Sequence, residues 1–322
     1  GGDTNLIGGT VSAPRIEADV GGNLNSASLQ DSSQFKSQQK SAGLTASVGF
    51  GQFSGSVSLS GAKVDADYTS VTQQSGLLAG DQGFAVNVQG KTSLSGGVIA
   101  SSNSAQQDGK NTYQAAGGTT YTDLQNKDDY SASSYSVSLG GGTSGPKLNV
   151  NPTTAIGVGN KSGSQASITQ SGITGVGGNA DIRTGQNNTI NNGQLSKTWD
   201  GQQLQTDVTA QASIMASAVS AGAKAWGNIA NDKYVEAVKN GDTEGAACWA
   251  PDGACRAAGH AALGGLGGGT GGALGAGTAS LAGPGAQTFL IEQGVPLNVA
   301  NALTVVGSVG TGAILGGTAG AV

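Results

Sequence analysis

The sequence predicts a β-solenoid, specifically a right-handed parallel β-helix over residues 1–197, followed by an all-α, Gly/Ala-rich segment over residues 198–322. Three observations predict it: a long internal repeat, an apolar period of two punctuated by glycine, and the abrupt loss of both near Thr198.

The repeat comes first, because a missed period misassigns the whole fold. QSGLLAGDQGFAV at 74–86 returns as QSGITGVGGNADI at 170–182, 96 residues on, and at the same offset TSLSGGVI at 92–99 falls on NTINNGQL at 188–195. TNLIGGTV at 4–11 lines up with 92–99, and LQDSSQF at 29–35 lines up with LQNKDDY at 124–130. Each unit of roughly 90 to 96 residues passes the same stations. These are a T-x-L-x-G-G strand, an LQ-x4-aromatic segment, a Ser-rich alternating strand, and QSG with a second alternating strand. The repeat-defining positions are Leu6, Gly8, Gly9, Gly76, Gly80, Phe84, Leu94, Gly96, Gly97, Gly172, Ile182 and Ile190.

Within a unit Phe84, Val86 and Val88 alternate with Ala85, Asn87 and Gln89, and Val57 and Leu59 alternate with serine, which gives strands with one apolar face. Glycines such as Gly76, Gly80, Gly83, Gly96 and Gly97 supply the corners of a coiled strand path. At about 4.8 Å per coil and about 20 residues per coil, residues 1–197 would make a rod of about 45 Å. An antiparallel sandwich is the competing architecture.

Composition fits a thin repeated core. Glycine supplies 58 residues, aromatics are 4% and charged residues 11%, so the apolar column must come from Val, Ile, Leu and Ala. A net charge of −5 without any polybasic stretch excludes nucleic acid as the natural partner, and six prolines with few charges are a poor match to disorder. The sequence opens GGDTNLIGG without Met or an apolar leader, so an export signal is expected upstream.

Beyond Thr198 the period becomes helical. Leu204, Val208, Ala212, Met215, Val219 and Trp226 share one face of an amphipathic helix within 198–245, expected to break near Gly222. A cysteine loop follows at 246–256, where Cys248 and Cys255 flank a Pro-Asp-Gly turn; a disulfide, two free thiols or a metal site are the alternatives. Residues 257–322 carry Gly264, Gly268 and Gly272 at four-residue spacing, which lets helices approach closely. They read either as a close-packed pair of helices or as a glycine-zipper hairpin that contacts the target membrane.

No chemistry rises above these structural readings. GKT at 90–92 lacks the first glycine of a phosphate loop, because position 85 is alanine, and GGNADI at 177–182 is a turn rather than a calcium repeat. Asp65 and Asp67 share a strand face, and Asp128 and Asp129 adjoin Tyr130, the residue types that polysaccharide-cleaving solenoids use; the first pair recurs in no other unit, and a solvated edge is the reading. His260 is the single histidine and is expected to pack or cap a helix. No cofactor, metal or catalytic residue is expected.

The combination of T-x-L-x-G-G, SGLLAGD-x-GF and LQ-x4-aromatic over residues 1–197 resembles the haemagglutinin repeats of filamentous-haemagglutinin-like, two-partner-secretion exoproteins, including contact-dependent growth inhibition effectors. Trp249, the run RAAGHAALGGLGGG at 256–269 with His260, and GALGAGTASLAG at 272–283 resemble the pre-toxin region of the same family. The resemblance implies a non-enzymatic filament segment on the bacterial surface. Its implied partners are an outer-membrane two-partner-secretion transporter and a receptor on the target cell, with an immunity protein engaged only through a C-terminal toxin. The family's Val-Glu-Asn-Asn boundary does not occur, so the toxin is expected beyond Val322. Alternatives are an adhesin shaft without toxin and a polysaccharide-cleaving solenoid enzyme.

Overall fold

The computed structural model describes residues 1–49, 52–144, 153–176 and 193–266. The stations expected at Ile182 and Ile190, the turn at 177–182, Gly268, Gly272 and most of the 257–322 segment lie outside the described residues.

The chain winds through three parallel sheets in turn. β1 (Thr4–Ile7), β2 (Thr10–Ala13) and β3 (Ile16–Val20) make the first coil, and β4 (Leu24–Ala27) returns to lie beside β1, with Thr4 opposite Leu24. The second coil then departs into β5 (Gln30–Gly49) and β6 (Gln52–Val71), two 20-residue strands, before resuming at β7 (Gly76–Ala79) and β8 (Phe84–Val88). The third coil is β9 (Thr92–Ser95), β10 (Val98–Ala100), a short helix α1 (Asn103–Gln107) and β11 (Thr112–Ala115). The fourth is β12 (Thr119–Thr122), a second departure into β13 (Leu124–Ser144) and β14 (Thr153–Thr169), and β15 (Gly172–Ile173). The sheets are ordered β1-β4-β9-β12, β15-β10-β7-β2 and β11-β8-β3, so every strand sits beside its counterpart one coil away. This is a β-solenoid, with Ile16, Val20, Leu24, Phe84, Val86, Val88, Leu94, Ile99 and Ile173 in its dry column.

The repeat is explained by this stacking. Thr4 and Thr92 both pair with Leu24, and Gly76 and Gly172 both pair with Val98, so equivalent stations lie two coils apart in one sheet. The 96-residue period is therefore two coils plus one long hairpin. The expected rod of about 45 Å is corrected accordingly: four coils rise only about 14 Å, three steps of about 4.8 Å, because residues 30–71 and 124–169 leave the coil path. Coil length itself is 20 residues where nothing is inserted, as between Thr4 and Leu24.

The long strands form a separate sheet ordered β14-β13-β6-β5. Side-chain partners run in opposite directions along neighbouring strands: Gln34 with Asp67 and Thr45 with Ser56 across β5 and β6, Asp129 with Ser164 and Tyr130 with Gly163 across β13 and β14. The sheet is antiparallel, unlike the coils.

The T-x-L-x-G-G and LQ signatures meet physically. Gly8 and Gly96 hold φ of +63° and +58°, and a Cβ on either would lie 2.7 Å or 2.6 Å from Cδ1 of Leu29 or Leu124 in the next coil. Left-handed backbone and close approach together require glycine there.

Two compact units result. One comprises Gly1–Phe35, Ala66–Tyr130 and Ser162–Trp199, holding the coils and the hairpin roots; the other comprises Lys36–Asp65, Ser131–Lys161 and the chain from Asp200, holding the outer parts of the hairpins and the helices. In the second unit α2 (Gly201–Lys239) begins at the Asp200 N-cap, whose carboxylate accepts from Gln203 N–H. It runs unbroken through Gly222, against the expected break. Gly222 is the place where Leu263 approaches, since a Cβ there would lie 2.9 Å from its Cδ2. The buried face is Leu204, Val208, Ala212, Ala216, Val219, Ala223 and Ala230; Met215, expected on it, is 37% exposed. α3 (Thr243–Trp249) and a helix at 254–266, α4, follow.

Candidate functional site: hairpin roots and a disulfide-closed helical turn

Each long hairpin leaves the solenoid at the same corner, and its root is closed by the same contacts. The residue before LQ accepts the main-chain N–H of the serine in QSG: Ser28 Oγ from Ser75 at 2.8 Å, and Asp123 Oδ1 from Ser171 at 2.9 Å. Glutamines then tie one repeat to the next. Gln30 Nε2 donates to the Gln125 carbonyl and Gln74 Nε2 to the Gln170 carbonyl, each at 2.6 Å and each linking equivalent positions.

Asn126 sits at the centre, buried and saturated. Its Oδ1 accepts from Val71 N–H at 2.9 Å, and its Nδ2 donates to Thr169 Oγ1 at 2.8 Å and the Gly193 carbonyl at 3.0 Å. A buried amide so placed fixes register, since any shift leaves its polar atoms unpaired. Asp128 is fully buried, which corrects its reading as part of a solvated edge; it accepts from the main-chain N–H and hydroxyl of Thr198. The segment leading to α2 is thus pinned to the root, with Tyr68 donating to the Leu195 carbonyl and Leu195 N–H donating to Ser70.

The carboxylates considered for glycan chemistry are engaged otherwise. Asp67 forms an ion pair with Lys127, whose ammonium it holds above the usual lysine range, and Asp65 lies 4.0 Å from Lys36. These cations come from other strands, which sequence proximity could not reveal. A shallow concavity of about 270 Å³ on the β3-β8-β11 sheet is edged by Glu17 and Asp19. Arg15 pairs with Glu17 there, and Asn87 donates to Asp19 at 3.4 Å. No group of three or more potential metal ligands occurs among the described residues.

In the second unit a disulfide joins Cys248 at the end of α3 to Cys255 in α4, with Cα atoms 5.1 Å apart across the Pro-Asp-Gly turn. Trp249 packs on Trp226 of α2 with ring centroids 5.8 Å apart, and Trp226 Nε1 donates to the Arg256 carbonyl at 3.0 Å. The Arg256 guanidinium reaches Asn231, and burial lowers its pKa. His260 is half-buried on α4; burial first, then the Arg256 charge, lowers its pKa, and Gly264 is buried one turn on. No described helix is long and apolar enough to cross a membrane.

Reducing this disulfide is expected to lower the stability of the helical unit by about 2 kcal/mol, the scale for opening a short loop. Cys248→Ser with Cys255→Ser should shift the urea midpoint equally and change Trp226–Trp249 fluorescence. Unchanged emission would mean the ring contact holds without the bridge.

Of the expected stations, Phe84 and Leu94 lie in the core, Leu6 packs against it, Gly76 and Gly172 flank Val98, and Gly80 N–H donates to the Ala13 carbonyl. Gly9 and Gly97 follow the left-handed Gly8 and Gly96. Sequence reading missed Ser28, Asp123, Asn126, Gln30 and Gln74, although Gln30 and Gln74 belong to the LQ and QSG signatures themselves.

These features define a repeat-built, structural β-solenoid module with paired long hairpins. Residues 1–42 match the family model described as hemagglutinin repeat. Over 193 residues the chain is 38% identical to the toxin CdiA of Escherichia coli, covering 57% of this chain and 6% of that protein. It is 38% identical over 141 residues to a deoxyribonuclease CdiA of Dickeya dadantii, covering 43% and 4%. Against a deoxyribonuclease CdiA of Yersinia pseudotuberculosis it is 34% identical over 183 residues, covering 54% and 17%. The chain thus spans only a small part of the relatives it matches, and no solved structure matches. The match is to the CdiA, two-partner-secretion family at the family level, and it marks a secreted, cell-surface-associated protein.

Proposed function

We propose that residues 1–197 are a shaft segment of a surface filament that presents a C-terminal toxin to neighbouring bacteria and helps deliver it, and that residues 198–322 are the pre-toxin region joining shaft to cargo. One observation carries the reading. Similar identity, 36–38%, is found to relatives named as a tRNA nuclease and as a deoxyribonuclease, so the shared segment is common to proteins of different named chemistry. A common carrier explains that. The physical means are those of the solenoid: each coil satisfies its backbone on its neighbours, so shape persists outside the cell without a thick core or an energy source. The partners in this role are an outer-membrane transporter and a target-cell receptor, with an immunity protein meeting only the toxin.

The test is a competition co-culture in which the full-length polypeptide carries Leu24→Asp and Phe84→Asp. Surface display and inhibition of neighbours should both collapse while the toxin assayed in lysate keeps its activity. Inhibition that persists with the shaft unfolded, or an intact polypeptide that never inhibits a neighbour, would refute the role.

A further inference from the structure

We infer that the outer edge of β5 is a docking edge for a like hairpin, supplied by a tandem repeat of this same sequence type, so that the antiparallel sheet gains one hairpin per repeat. The inference rests on the repeat geometry and is independent of toxin delivery.

The pitch carries the argument. Hairpins leave the second and fourth coils, so one hairpin occurs for every two coils. Two coils rise about 9.6 Å, and two strands of a hairpin occupy the same about 9.6 Å across a sheet. A sheet built at one hairpin per repeat therefore keeps step with the coils indefinitely, whereas any other number of strands would drift from the root. The pairing of β6 with β13 is the observed joint between consecutive hairpins, and among the described strands β5 is left at the edge.

The positions of β5 equivalent to that joint keep an acceptor, a hydroxyl and a glutamine. Across β6 and β13, Val71 N–H is accepted by Asn126 and Asp67 pairs with Lys127, while Gln30, at the start of β5, reaches the Gln125 carbonyl of β13. Shifted back one repeat by the LQ alignment, Asn126 becomes Asp31, Lys127 becomes Ser32 and Gln125 becomes Gln30 itself. Asp31 is an acceptor as Asn126 is, and Ser32 offers a hydroxyl to an incoming aspartate. The strand that fits is the second strand of a hairpin of the β6 kind. A 20-residue strand at the edge of the described sheet is otherwise a template for unwanted pairing.

The experiment adds one repeat to the complete chain. Thr92 and Thr4 are equivalent at an offset of 88, so a copy of residues 1–88 placed directly before Gly1 keeps the coil spacing. Hydrogen exchange at the outward amides of residues 30–35 should then slow by at least about tenfold relative to the parent chain. Ser32→Cys, combined with Asp67→Cys in the added copy, should cross-link on oxidation. Unchanged exchange and no cross-link, with the added coils folded by circular dichroism, would overturn the inference. Failure of the added repeat to fold on an otherwise folded chain overturns it equally, since the edge would then not template it.

Discussion

Phe84→Ala is expected to destabilise the solenoid unit by about 3–5 kcal/mol, the range for removing a buried aromatic ring from a core that cannot close over the cavity. Phe84 is fully buried and lies in the middle strand of its sheet, opposite Ile16 in β3, with its N–H donating to Asn111. In a globular domain neighbouring layers relax into such a hole. Here Phe84 is carried by β8, which is hydrogen-bonded to β3 on one side and β11 on the other. Relaxation would require moving the ladder itself. Urea unfolding followed by circular dichroism should show the midpoint falling at nearly constant slope. A loss below about 1 kcal/mol would mean that the coils collapse inward, and the rigid-ladder account would fail.

That column was legible in the sequence because the residues that make it repeat. Leu6, Phe84 and Leu94 announce themselves by alternation with polar neighbours, and Gly8 and Gly96 by their place after the strand. The long hairpins are not distinguishable by alternation, since strands in a coil and strands in a hairpin share a period of two. A signal did exist: residues 29–42 and 127–139 contain no Gly, Asn or Pro, whereas coil strands meet such a corner every few residues. A corner-free alternating run of that length cannot be folded into a coil side of four or five residues.

The polar roots were illegible for a different reason. Asp128 looks like surface charge until Thr198, 70 residues away, is seen to cover it, and Lys127 enters the account of Asp67 only through β13. Gly222 misled in the opposite sense, its low helix propensity suggesting a break where the structure uses its small size for Leu263. Local rules priced each residue alone; packing partners distant in sequence reversed the outcome.

Gly157→Ala is expected to undock α2 from the hairpin sheet. In the second unit α2 lies so close to β14 that a Cβ on Gly157 would run into the Ala212 carbonyl and one on Gly159 into the Val208 carbonyl. Ser134 Oγ donates to that same Val208 carbonyl, Gln211 accepts from Asn160 N–H, and Lys161 pairs with Asp207. Lys161, with Gln203, holds the Asp207 carboxyl below its usual range. A methyl group at Gly157 meets backbone on a rigid helix, so it cannot be relieved by a rotamer change. Overpacking of this kind costs about 1–3 kcal/mol even where side chains can yield. The helix must lift, and Val208, Ala212 and Val219 lose their cover together. Amide exchange over residues 204–223 should accelerate by at least about tenfold, while Gly227→Ala, where a Cβ meets nothing, should leave it unchanged. Equal behaviour of the two variants would show that contact at Gly157 is not what seats the helix.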